Sequence, residues 1–121
     1  MAEFTTGELS EARRALLSLR NKNEKAAGKL KEGSWQSRMT TAVVKSADAA
    51  LWLIDGNDGA SMEKDSLREA HTALTDALRR AEAVVGKFAV GTSQHTLQKN
   101  RIAALKIALA LIEEEQGRTP R

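Results

Sequence analysis

The sequence predicts an all-α fold: two tandem antiparallel helical hairpins that together close a four-helix bundle. Three observations carry this reading. Ala, Leu, Lys, Glu and Arg dominate, Pro occurs once and aromatic residues make up 3% of the chain, a balance that favours helix throughout. Apolar residues recur at alternating spacings of three and four, the period of one helix face. Finally, sliding the chain along itself by 58 residues aligns 9–55 with 67–113 without a gap, and 14 of the 47 pairs are identical. The spacing reads as an internal duplication within one domain of 121 residues, with a first hairpin repeat at 9–55 and a second at 67–113. One hairpin of that length cannot bury its inward face alone, whereas two can bury theirs against each other.

Thr5-Thr6-Gly7-Glu8 has the spacing of an N-terminal capping box, so the first helix is expected to begin near residue 6. Leu9, Ala12, Leu16, Leu19, Asn23, Ala26 and Leu30 form its apolar seam, with Asn23 as the misfit. Such an Asn either sets register or marks a last turn that faces solvent. Gly28 and Gly33 end the helix and shape the turn, as glycine does where φ must be positive. Ser34 caps a second helix from Trp35 to about Asp55, with Met39, Val43, Ala47, Ala50, Leu51 and Ile54 on one face. Helices of this length joined by a short turn lie antiparallel. Asp55-Gly56-Asn57-Asp58-Gly59 is read as a linker, because no alignment supplies the ligand spacing of a calcium loop. Ser66-Leu67-Arg68-Glu69 has the pattern of a second capping box that opens helix three. Its face runs from Leu67 through Ala70, Leu74 and Ala81 to Phe88. Thr92 or Ser93 caps helix four, which is expected to run to about Glu115, before Gly117 and a polar tail ending Thr119-Pro120-Arg121. Between Ile102 and Ile112 this helix is apolar on every side except at Lys106. It is therefore either the centre of the bundle or an interface through which the chain forms a homo-oligomer. Trp52 is expected in the core or at an interface, and His71 at the edge of a seam.

The chain has no cysteine, which excludes disulfides and thiolate metal sites. The run 102–112 is well short of the roughly 20 apolar residues that span a bilayer. Met1 to Thr6 lacks the pattern of a secretory signal, so a cytoplasmic chain without membrane contact is the expectation.

Charge is segregated along the bundle axis. Residues 20–45 and 79–106, which flank the two Gly turns, carry a net charge of +10, against +3 for the whole chain. Helix-dipole compensation explains Lys25, Lys29, Arg79, Arg80 and Lys87 at the ends of helices one and three. It does not explain Arg38, Lys99 and Arg101 near the starts of helices two and four, nor Asp55, Glu113, Glu114 and Glu115 near their ends. Either cross-helix pairing accounts for these, or the basic end serves an anion.

The candidate site follows from the two turns, Lys29-Leu30-Lys31-Glu32-Gly33-Ser34-Trp35-Gln36 and Lys87-Phe88-Ala89-Val90-Gly91-Thr92-Ser93-Gln94, in which Lys, Gly and Gln coincide. Helix N-termini in a basic setting favour phosphate or carboxylate. Gly33 and Gly91 would admit the ligand closely, and Ser34, Thr92, Ser93, Gln36 and Gln94 would donate hydrogen bonds. Lys29, Lys87, Arg38, Lys99 and Arg101 would supply charge, while Trp35 and His95 offer planar surfaces for a base.

The segment Gly91-Thr92-Ser93-Gln94-His95-Thr96-Leu97-Gln98-Lys99-Asn100-Arg101-Ile102, with the apolar helix after it, resembles a small helical module of uncharacterised phage and mobile-element proteins. The first half departs from it, with Ser37 at the place of His95 and Val43 at that of Arg101. In size and setting the chain is similar in outline to phage anti-defence sponges, which sequester nucleotide signals; the resemblance implies binding and brings no established activity.

No acid–base, nucleophile or metal-ligand pattern stands out, so the expectation is a non-enzymatic protein without cofactor that binds an anionic, nucleotide-like molecule. A helical assembly module is the alternative. Nucleic acid is not the expected partner, because the chain displays neither a recognition helix nor an aromatic platform.

Overall fold

A computed structural model describes residues 3–118. Its helices are α1 (Thr6–Ala27), α2 (Trp35–Ile54), α3 (Lys64–Val85) and α4 (Ser93–Arg118), with one turn of 3-10 helix at Gly59–Ser61 between α2 and α3. The expected tail at 119–121 lies outside the described residues.

The start of α1 is the capping box anticipated from the sequence. Thr5 Oγ1 accepts from Glu8 N at 3.0 Å, and Thr5 N donates to Glu8 Oε1 at 2.9 Å. Phe4 and Leu9, on either side of the cap, both pack on the core, the spacing of a hydrophobic staple. The start of α3 differs from expectation. Its cap is Glu63, which makes no side-chain capping bond, and Ser66 lies inside the first turn. Met62 and Leu67 flank Glu63 and also join the core, so burial of this second staple, rather than a capping hydroxyl, sets where the helix begins. At the other ends, α4 continues three residues beyond Glu115 and passes through Gly117. Gly28 and Gly86 close α1 and α3 in ordinary right-handed conformation. Among the described residues, positive φ occurs only at Gly33, Gly56 and Gly91.

In each hairpin the helices are antiparallel. Arg13 Nε meets Asp55 Oδ1 at 2.9 Å and Arg20 Nε meets Asp48 Oδ1 at 2.8 Å across α1 and α2, and His71 Nε2 meets Glu113 Oε2 at 2.9 Å across α3 and α4. Arg13 and His71 stand 58 residues apart, as do Asp55 and Glu113. Each hairpin thus carries a cross-helix pair at the same place, built from Arg13 in the first and His71 in the second. The buried positions match in the same way: Leu16 and Leu74, Ala50 and Ala108, and Leu51 and Leu109.

Around the bundle, α1 and α3 each pack on both α2 and α4. Across it, α2 and α4 touch, whereas α1 and α3 stand apart. Ala47 and Ala50 on α2 and Ala104 and Ala108 on α4 are buried, and small side chains permit close interhelical approach. Helix α4 therefore meets every other helix, and many of its apolar side chains are buried within the chain, Leu105, Ile107, Ala108, Leu109 and Ile112 among them, while Ala103 and Lys106 are exposed. The linker is fastened beside it. Trp52 Nε1 donates to Asp58 O at 3.0 Å, and Gly59 is buried where a Cβ would collide with Glu115. Trp52 is thus a partly exposed clamp on the linker, not a core residue.

Leu16→Ala and Leu74→Ala should each lower stability by about 3 kcal/mol, as expected for a fully buried leucine. Urea unfolding of the two variants checks this, and their midpoints should fall by similar amounts.

Candidate functional site

The turns that end α1 and α3 are built alike. In the first, Lys29 N donates to Ala26 O at 3.0 Å and Ser34 N to Lys31 O at 3.1 Å; in the second, Lys87 N donates to Val84 O at 2.9 Å and Thr92 N to Ala89 O at 3.2 Å. Ser34 Oγ accepts from Ser37 N at 3.2 Å, and Thr92 Oγ1 accepts from His95 N at the same distance. The Thr92 hydroxyl also donates to Ala89 O at 2.7 Å. Of the hydroxyls expected as ligand donors, that of Thr92 is used in the turn as both acceptor and donor, whereas that of Ser34 acts in its cap as an acceptor. Gly33 and Gly91 serve the turns themselves through positive φ.

The other expected site residues divide by position. Lys29, Lys87, Ser93, Gln94 and Lys99 are exposed around the basic end, and His95 is half-buried. Arg38 lines a groove between α2 and α3. Trp35, Gln36 and Arg101 line the cavities at the turn end.

Arg101 is the unusual member. It lies on the inward stripe of α4, Gln98, Arg101, Leu105, Ala108, Ile112, at the three-and-four spacing of a core face. It is 8% exposed. Its Nε is buried without a hydrogen-bond partner, and among the described residues only Thr75 Oγ1 shares that condition. Burial pushes the Arg101 guanidinium below its usual range. The half-exposed Arg13 moves the opposite way, raised by its hydrogen bond with Asp55, and Arg20 is raised by hydrogen bonds with Asp48 and Glu24. Those guanidiniums have their acids; among the described residues Arg101 has none.

Arg101 faces a cleft of about 280 Å³ between the C-terminal halves of α1 and α3, the helices that stand apart. One wall is Leu19, Lys22, Asn23 and Ala26 of α1, and the other is Ala77, Arg80, Ala81 and Val84 of α3. The wall residues pair off 58 positions apart, so Lys22 and Arg80 oppose each other. On the floor the equivalent pair is Val43 and Arg101, with Gln98 and Leu105 beside it. Asn23 Nδ2 donates to Leu19 O at 2.8 Å, and Arg80 is held by Asp76 at 3.0 Å. Asn23, Val43 and Arg80 also line an adjoining cavity of about 570 Å³, which continues to Met39, Gln36 and the 63% exposed Trp35.

A larger groove of about 690 Å³ runs along α2 and α3. Its charges are mixed, with Arg68 and Arg79 beside Glu69 and Asp76, and no buried unpaired charge faces it. The cleft at Arg101 is therefore the stronger candidate for an anion.

The two ends of the bundle treat their charges differently. At the acidic end, Asp55 and Glu113 pair across the hairpins with Arg13 and His71. Among the described cations of 20–45 and 79–106, only Arg20 and Arg80 have an acidic partner. Cross-helix pairing thus explains Asp55 and Glu113 but leaves the basic end uncompensated.

Sequence reasoning named Arg101 for its charge and missed its burial, which counting back from Ile112 along the stripe would have found. It missed Lys22, Arg80 and Gln98 as site residues and noticed Asn23 only as an irregularity. No family model, curated protein or solved structure matches the chain.

Arg101→Met should stabilise the ligand-free protein by about 1 kcal/mol or more, because it removes a desolvated charge that nothing compensates. Thermal unfolding checks this through a rise of several degrees in Tm.

Proposed function

We propose that the protein binds and sequesters an anionic, nucleotide-like small molecule in the cleft between α1 and α3. The observation that carries the reading is Arg101, a guanidinium buried in the bundle with its Nε unpaired. An uncompensated buried charge is unfavourable by itself, and an oxyanion delivered to the cleft would offset that cost with charge-assisted hydrogen bonds. Lys22 and Arg80 stand on opposite walls to share the charge, and Asn23 and Gln98 add carboxamides. The unpaired cations around the turns would draw an anion to this end by long-range attraction.

The reading is of binding rather than turnover. The cleft brings together cations, amides and apolar side chains, and its neighbouring carboxylate, Asp76, is engaged with Arg80. The outline similarity to phage anti-defence sponges is one of size and setting, and sequestration of a nucleotide-like molecule is the role proposed here.

A second reading, a helical assembly module, is favoured by a different feature. Leu30, Trp35, Val90 and Leu97 are exposed apolar residues, and Val90 is 86% exposed. They cluster by sequence at the same turn end, where an acidic protein partner would find both apolar and basic contacts.

Thermal unfolding against mono-, di- and cyclic nucleotides distinguishes the two. A ligand at 100 times its Kd should stabilise the wild type by about 2.7 kcal/mol, a shift of several degrees. Arg101→Met should abolish that shift, whereas Lys29→Ala and Lys87→Ala, at residues that line neither the cleft nor the adjoining cavity, should retain most of it. No shift with any compound, together with concentration-dependent self-association in sedimentation, would favour the assembly module.

A further inference from the structure

The cleft has matched walls and an unmatched floor. Positions 58 residues apart place Lys22 opposite Arg80, Leu19 opposite Ala77 and Ala26 opposite Val84. At the floor the same spacing relates Arg101 to Val43, both buried. One half of the floor is therefore cationic and the other apolar. The cavity that adjoins the cleft shares Val43 with it and leads past Thr40 and Asp76, whose carboxylate is engaged by Arg80, to Met39, Leu30 and the indole of Trp35, whereas Arg101 lines the inner cleft.

A symmetric polyanion would use the two walls equally but would place charge against Val43, where desolvation is uncompensated. A ligand with one compact anionic end and one planar apolar end satisfies both halves. From this difference between floor positions 43 and 101, we infer that the site is polarised and takes a phosphate monoester carrying a planar ring, such as a nucleoside monophosphate. Its phosphate lies between Arg101, Lys22 and Arg80, and its ring passes over Val43 and Met39 towards Trp35. Arg80 lines both cavities, so it stands at the junction of phosphate and ring. Gln36, beside Trp35 in the outer cavity, is placed to contact a ring edge. The inference rests on the anion reading of the cleft given above and adds the ligand's class and orientation.

The test is calorimetric titration of the full chain with AMP, GMP, inorganic phosphate, pyrophosphate and adenosine. At least one nucleoside monophosphate should bind at a 1:1 ratio and at least about tenfold more tightly than phosphate or pyrophosphate. Adenosine, which lacks the phosphate, should bind at least about tenfold more weakly than AMP. Trp35→Ala should weaken the nucleotide about tenfold and leave phosphate unchanged, since a base on an aromatic ring contributes roughly that much. Trp35→Phe should retain nucleotide binding, and Arg101→Met should lose both ligands. Because Trp35 is largely exposed, these variants should fold, and circular dichroism confirms that they do. Phosphate or pyrophosphate binding as tightly as either nucleotide, or nucleotide binding indifferent to Trp35→Ala, would overturn the polarised site while leaving the anion reading intact. If neither phosphate nor any nucleotide binds the wild type, the anion reading falls and this inference falls with it.

Discussion

The structure depends on the burial of α4 among the other three helices. Leu105, Ala108, Leu109 and Ile112 give this helix a broad buried face and Ile107 adds a further buried position, so the other helices pack around most of it and leave Ala103 and Lys106 exposed. Close contact between α2 and α4 follows where both present alanine, and it spreads α1 and α3. The cleft is a consequence of that choice of diagonal. Arg101 faces it because the inward stripe of α4 continues one turn beyond Leu105 and there carries a charge instead of the valine found at position 43.

The bundle therefore places one element of cost within an otherwise ordinary core. Leu16, Leu74 and Leu105 are buried with apolar neighbours, and the Arg13–Asp55 ion pair between α1 and α2 sits at the surface, where such pairs contribute little to stability. Arg101 is different because its charge is withdrawn from water without a partner. Its Nε has no hydrogen-bond partner among the described residues. The unpaired cations around both turns add positive potential at the same end of the bundle, and salt screens it.

Much of the architecture was legible locally. The capping box at Thr5 and Glu8, the Ser34 cap and the positive φ at Gly33 and Gly91 are short-range requirements of the backbone, and each appears where its residues stand. Ser66 misled because the pattern of a capping box is common, whereas the actual start of α3 was set by Met62 and Leu67 reaching the core. Trp52 misled for a related reason: its neighbours in sequence are apolar, but its indole is used by the carbonyl of Asp58. The candidate site was legible only in part. Trp35, Gln36 and Arg101 were picked out by the turns and by charge, but Lys22, Asn23, Arg80 and Gln98 come from three helices whose faces meet only after packing.

The sequence by itself determined the helices, the hairpin order and the segregation of charge. Period, caps and turn glycines act over a few residues, and the charges of each segment travel with it. The tertiary structure decided which diagonal of the bundle closed, and that a guanidinium on the α4 stripe would face an open cleft. Those outcomes depend on how side chains from distant segments fill a shared space. No local pattern carries that information, because burial belongs to the assembled helices and not to any one of them.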